Sequence, residues 1–180
     1  KISSILEDRD GNIWLGLFQK GVFMQPHQDS GFSYVGYKSG RYDIIGSACV
    51  MSVYAGKDCT LWVGTDNDGL YALDMKSYAV SHYSSDTGGL PATITSIVED
   101  KDGKLWLGSY WGGAGWLDRQ TGQFNRLPFT CRGMAVHVFR LLADAEDNLW
   151  IATLGDGLKK YNLKTHELTE YKVQPEAFEP

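Results

Sequence analysis

The sequence predicts an all-β protein: a β-propeller segment of four blades, each built from four antiparallel strands. Three observations carry that prediction. Four of the six tryptophans, Trp14, Trp62, Trp106 and Trp150, recur at spacings of 48, 44 and 44 residues. The segments that follow them align without a gap as WLGLFQKGVFMQP, WVGTDNDGLYALD, WLGSYWGGAGWLD and WIATLGDGLKKYN, and a glycine (Gly21, Gly69, Gly113, Gly157) stands seven residues after each tryptophan. The composition, with 21 Gly and 6 Trp against 5 Pro in 180 residues, suits many short strands and tight turns. Four short strands and one Trp per repeat of about 44 residues is the punctuation of a propeller blade. A sandwich would not repeat identical turns at that interval.

The elements of each repeat follow in order. Strand A is the apolar run Ile2–Leu6, Val50–Tyr54, Ile94–Val98 and Val138–Leu142. A polar turn comes next (Arg9-Asp10-Gly11-Asn12, Lys57-Asp58-Cys59-Thr60, Lys101-Asp102-Gly103-Lys104, Ala145-Glu146-Asp147-Asn148), and Gly, Asn and Asp tolerate the positive φ of such turns. Strand B carries the Trp, which is expected to wedge between adjacent blades while its indole N–H finds one partner. Gly16, Gly64 and Gly108, with Ala152 in the last copy, are placed to let a neighbouring backbone approach closely. Strand C follows at Val22–Met24, Leu70–Leu73, Gly115–Leu117 and Leu158–Tyr161. Strand D follows at Phe32–Tyr37, Ala79–Tyr83, Gln123–Leu127 and Glu167–Tyr171. The blades therefore span about 2–37, 50–83, 94–127 and 138–173. Their strands are apolar on both faces, as expected of sheets sandwiched between neighbours.

Charge and composition exclude several classes. Seventeen Lys+Arg against 22 Asp+Glu leave a net charge of −5 with no basic cluster, which disfavours nucleic acid and anionic membrane surfaces. No apolar run of about 18 residues is present, so no membrane span or direct membrane contact is expected. Lys1-Ile2-Ser3-Ser4 opens straight into strand-like sequence, so no leader is expected either.

The pattern I-x-S-I-x-E-D-x-D-G-x-L-W-L-G-T followed by D-G-L-Y resembles the two-component regulator propeller repeat. Ile94–Ser109 and Ile2–Gly16 match it best, with looser copies around Trp62 and Trp150, and Ser85–Pro91 fits the usual inter-blade connector. The resemblance implies the periplasmic sensor region of a Bacteroides-type hybrid two-component system, which senses oligosaccharides and signals to a histidine kinase. It also implies a larger ring, of about seven blades, in which this chain is a segment whose end blades need further blades, another domain or a second copy (a homodimer) to cover them; a compact four-bladed ring is the alternative that stays open. The second repeat departs from the pattern at Ala55-Gly56 and Cys59, and the fourth at Ala152.

No catalytic residue, metal site or cofactor is expected. The four histidines, His27, His82, His137 and His166, lie in different repeats without metal-ligand spacing. Asp66-Asn67-Asp68-Gly69 lacks the later acidic ligand of a calcium loop and reads as a turn. The recurrent acids Glu7-Asp8, Glu99-Asp100 and Asp144 read as fold support. Cys49, Cys59 and Cys131 are expected to be free thiols. A strand separates Cys49 from Cys59 by roughly 23 Å, and a Cys49–Cys131 bridge would skip a blade. Ligand is expected on the face of the D–A connectors and B–C turns, where aromatic rings beside charged groups suit a sugar. The candidates are Arg41 and Tyr42 in the long first connector, Asp86 in the second, Tyr110 and Trp111 in the third B–C turn, and Arg132. Trp116 is expected to pack. Two alternatives stay open: a propeller lyase using His137, and a protein-interaction scaffold.

Overall fold

Each strand–turn–strand pattern of the sequence closes into a meander. The computed structural model describes residues 1–18, 21–27, 33–35, 45–84, 86, 88–131 and 134–172. Blade 1 is β1 (Ile2–Glu7), β2 (Ile13–Leu17), β3 (Gly21–Gln25) and β4 (Ser33–Val35). Blade 2 is β5 (Val50–Ala55), β6 (Thr60–Thr65), β7 (Leu70–Asp74) and β8 (Val80–Tyr83). Blade 3 is β9 (Ile94–Glu99), β10 (Leu105–Ser109), β11 (Gly113–Leu117) and β12 (Phe124–Arg126). A two-residue hairpin, β13 (Thr130–Cys131) with β14 (Met134–Ala135), precedes blade 4, which is β15 (Val138–Ala143), β16 (Asn148–Thr153), β17 (Leu158–Asn162) and β18 (Leu168–Tyr171). Every blade is a four-stranded antiparallel sheet in chain order, and β1, β5, β9 and β15 lie side by side. The expected four sheets are present; the hairpin was not foreseen. Much of the first long connector, including Arg41 and Tyr42, lies outside the described residues, as do Arg132 and the flanks of β4.

The core sits between blades, in three apolar layers. Trp14, Trp62 and Trp106 are 3%, 2% and 4% exposed, each wedged under the following blade. Their indole N–H groups explain the recurrent acid. Asp8 Oδ2 accepts from Trp14 Nε1 at 2.7 Å, Asp100 from Trp106 at 2.8 Å and Asp144 from Trp150 at 2.8 Å. The same carboxylate accepts the backbone N–H groups two and four residues on, at Asp10 and Asn12, Asp102 and Lys104, Glu146 and Asn148. One side chain thus closes the A–B turn and holds the wedge.

That arrangement has a pH dependence. Burial alone would raise the Asp144 carboxyl, but hydrogen bonds from Asn148, Trp150 and Glu146 prevail and bring it down to about 2. Asp8 is likewise held below the usual carboxylate range, its burial outweighed by Trp14, Asn12 and Asp10. A carboxyl depressed by folding stabilises the native state above its unfolded pKa, about 4, and that contribution fades as pH falls toward the folded value. The melting temperature is therefore expected to drop between about pH 4 and pH 2, and Asp144→Asn to flatten part of that slope in an acid titration followed by circular dichroism.

Blade 2 lacks the acid. Gly56 stands in its place, Trp62 Nε1 is buried without a partner, and the Arg119 guanidinium of blade 3 stacks 5.1 Å from the Trp62 ring instead. Arg119 is itself paired with Asp58 at 2.8 Å and with Glu99. In the same turn Cys59 takes φ 65°, where Gly11 and Gly103 take 80° and 81°. A side chain in the left-handed region costs roughly 1–2 kcal/mol, and glycine loses up to about 1 kcal/mol more chain entropy on folding. Cys59→Gly is expected to stabilise by about 0.5–1 kcal/mol, read as a higher urea midpoint.

The joints between blades share one design. Strand A bulges at Ser3, Met51, Thr95 and Phe139, one residue out of register with strand B. The hydroxyl of bulged Ser3 lies 3.0 Å from Gly16 O in its own blade and 2.6 Å from Val50 O in the next; Thr95 repeats this with Gly108 O and Val138 O. In blade 2 the neighbouring Ser52 bonds Ile94 O at 3.1 Å. A Cβ on Gly16, Gly64 or Gly108 would lie 2.9, 2.7 or 2.7 Å from Val50, Ile94 or Val138 of the following blade, so only glycine permits this approach.

Both ends of the run are open. Blade 1 exposes Ile2 (50%) and Ile5 (67%), whose counterparts Ile94 and Ile97 are buried. On blade 4, Leu142, Trp150 and Lys160 form one cross-strand row, and Arg140, Ala152, Leu158 and Tyr171 the next. Phe139 and Leu142 there are 66% and 56% exposed. Arg140 and Ala152 stand where the other three blades have Ser and Gly.

Candidate functional site

The strand order brings the B–C turns and D–A connectors to one face. At its centre, Tyr110 and Trp111 of the third turn meet His137 at the start of blade 4. The Tyr110–Trp111 and Trp111–His137 rings are edge-on at 4.8 and 4.9 Å, and Tyr110–His137 is tilted at 4.8 Å. His137 Nδ1 donates to the Tyr110 carbonyl, which leaves its Nε2 as an acceptor. Behind the turn, Ser109 Oγ accepts Gly112 N at 3.0 Å. Two rings thus brace an indole that is 70% exposed, a rigid apolar platform rather than a loose loop tip.

On one side of Trp111 a groove of about 280 Å³ runs between blades 2 and 3, with Asn67, Leu90, Pro91 and Arg126 among its walls. On the other side, His137 opens onto a cavity of about 570 Å³ between the β13–β14 hairpin and blade 4, lined also by Met134, Leu154, Asp156 and Lys172. Lys159, fully buried, bonds Asp156 at 2.7 Å and Glu170, while Lys172 lies 3.1 Å from Glu170. Burial alone would lower the Lys159 pKa, but the two carboxylates outweigh it and raise it, so the ammonium stays charged.

Blade 2 carries the same three positions with different chemistry. Tyr71 OH donates to Asp68 at 2.6 Å, and His82 stacks on Tyr71 at 4.2 Å with its Nε2 2.7 Å from Asp68 O. Burial first, and then the Asp68 carboxylate, push the Tyr71 phenol up to about 12, so it remains a donor. The Asp66–Gly69 segment is the expected turn, with Asn67 and Gly69 at positive φ and Asp66 accepting from Thr93 at 2.9 Å. Among the described residues no group of three or more His, Cys, Asp or Glu is placed to hold a metal ion.

Of the sequence candidates, Tyr110 and Trp111 form one unit, and Asp86 is exposed on its connector without lining either groove or cavity. Arg41, Tyr42 and Arg132 lie outside the described residues. Trp116 is half-buried against the layer between blades 3 and 4, with Lys104 Nζ 4.4 Å from its ring. Cys49 and Cys59 are thiols. Sequence reasoning missed Arg126 and the bracing role of His137. Arg126 stands in the strand-D column of His82 and Glu170, a register that follows from the 44-residue repeat.

Comparison with known proteins agrees with the blade architecture. The family model described as "Two component regulator propeller" matches residues 1–19 and 88–111, the hairpins that follow its motif most closely. Similar solved structures include the extracellular domain of a candidate hybrid two component system from B. thetaiotaomicron, 18% identical with a TM-score of 0.74 over 95% of this chain and 24% of that one. A second such extracellular domain from the same organism is 26% identical, with a TM-score of 0.61 over 94% of this chain and 27% of that one. An auxiliary nutrient binding protein from Bacteroides thetaiotaomicron is 14% identical, with a TM-score of 0.68 over 94% of this chain and 40% of that one. The chain spans about a quarter of the length of the first two, and no curated protein matches it. The chain is a run of propeller blades, and the segments that carry its first and third A–B hairpins match the two-component regulator propeller model.

Proposed function

We propose that the chain is a non-catalytic, extracytoplasmic sensor segment of a hybrid two-component system. It binds an oligosaccharide on the connector face and passes the signal, through packing against neighbouring blades or domains, to a histidine kinase. The observation that carries this reading is Trp111: an exposed indole braced by Tyr110 and His137, between a groove that Arg126 lines and a polar cavity, in a blade whose A–B hairpin matches the regulator repeat. Rigid aromatic platforms with polar walls are what a pyranose ring recognises, its apolar face on the indole and its hydroxyls on the rim. The open faces of blades 1 and 4 take further blades of a parent chain or a second copy. Calorimetry against a panel of glycan fragments tests the reading. Binding that is lost in Trp111→Ala supports it, and silence across every glycan class overturns the ligand assignment.

A further inference from the structure

In blades 2 and 4 the B–C turn, strand C and strand D place three side chains together. In blade 2 they are Asp68, Tyr71 and His82; in blade 4, Asp156, Lys159 and Glu170. Both sets satisfy themselves, through Tyr71 and His82 on Asp68 and through Lys159 on Asp156 and Glu170. In blade 3 the first two positions are Gly112 and Gly115, and the third is Arg126, cross-strand from Gly115. Both internal partners have been reduced to hydrogen, and among the described residues the exposed Arg126 guanidinium has no hydrogen bond or ion pair. It faces instead the groove of about 280 Å³ that Trp111 walls, whose floor is Leu90 and Pro91 and whose lining contains no carboxylate.

We infer that this groove binds a ring-bearing anion: an acid group attached to a ring with an apolar face. The ring lies on Trp111, and the acid takes the planar fork of Arg126 in a two-point, charge-assisted contact. A neutral ring keeps the stacking and loses the fork. The inference rests on the reading of Trp111 as the ligand platform and adds the chemical class. A uronate saccharide and an aromatic acid share this chemistry, and separate arms of one experiment tell them apart.

The experiment is calorimetry of the whole chain with galacturonate and glucuronate oligosaccharides, with their methyl esters, and with benzoate. Wild type is expected to bind one of the acids at least tenfold more tightly than the corresponding neutral ester, with affinity falling as salt rises. Arg126→Gln, on an outer strand and with an unchanged melting curve, is expected to bring the acid down to the level of the ester while leaving the ester unaffected. A uronate response assigns the ring to a sugar, and a benzoate response alone to an aromatic acid. Equal affinity for acid and ester, or an acid preference untouched by Arg126→Gln, overturns the inference while Trp111-dependent binding keeps the platform reading intact. No binding in any arm, together with silence toward neutral glycans, overturns both.

Discussion

Trp106→Ala is expected to lower the stability of the chain by about 3–5 kcal/mol, the range for removing a large buried aromatic. The indole fills the layer between blades 3 and 4 against Val138, Leu141 and Leu149, and its N–H is held by Asp100. Truncation leaves a cavity and also removes one of the donors that neutralise a 7% exposed carboxylate. Trp62→Ala offers the internal control. Its ring is equally buried, but among the described residues its N–H has no partner because Gly56 replaces the acid, and its loss removes the Arg119 stack instead. The difference between the two variants in urea denaturation sets the acid–indole contact, of order 1–3 kcal/mol for a hydrogen bond to a charged group, against the Arg119 stack, of order 0.5–1 kcal/mol. Equal losses would show that the acid–indole contact adds no more than that stack.

Gly64→Ala is the second large effect. The added methyl would meet Ser52 Oγ at 2.4 Å and, across the joint, Ile94 O at 2.7 Å. The serine can rotate away, but Ile94 O belongs to the backbone of β9, so blade 3 must shift and the Ser52–Ile94 bond with it. Overpacking of this kind costs about 1–3 kcal/mol. Because Asn67 comes from blade 2 and Trp111 and Arg126 from blade 3, the same shift splays the proposed ligand groove, so affinity for its ligand and melting temperature should fall together. Ala152→Gly, at the matching position of blade 4 with no blade stacked on it, is expected to change the melting temperature little.

The repeat made the fold legible. Strand A, the Trp strand, the turn glycines and the close-approach glycines could all be placed from a 44-residue register, and the sheets follow it. The Asp-to-Trp contact was half visible: the acid precedes the Trp by six residues in three of four copies, but only the hairpin geometry shows that six residues across an A–B turn brings carboxylate to indole. Tyr110 and Trp111 stood out because their turn differs from its equivalents. Arg126 did not, since its meaning comes from what Gly112 and Gly115 fail to supply, and a partner missing from a neighbouring strand leaves no mark in linear sequence. The β13–β14 hairpin is too short to carry any periodicity, so nothing announced it.

The acid–indole contacts close within a blade and the hydroxyl joints reach only to the next one, so stability here is close to a sum of blade terms and nearest-neighbour terms. Such a chain does not melt everywhere at once. Among the described residues one face of blade 1 and one of blade 4 are exposed, while blade 2 is covered on both but its indole is untethered. Blade 3 alone has two neighbours and its tethered Trp106. Among these four blades, the one that carries Trp111 and Arg126 is therefore expected to show the slowest amide exchange.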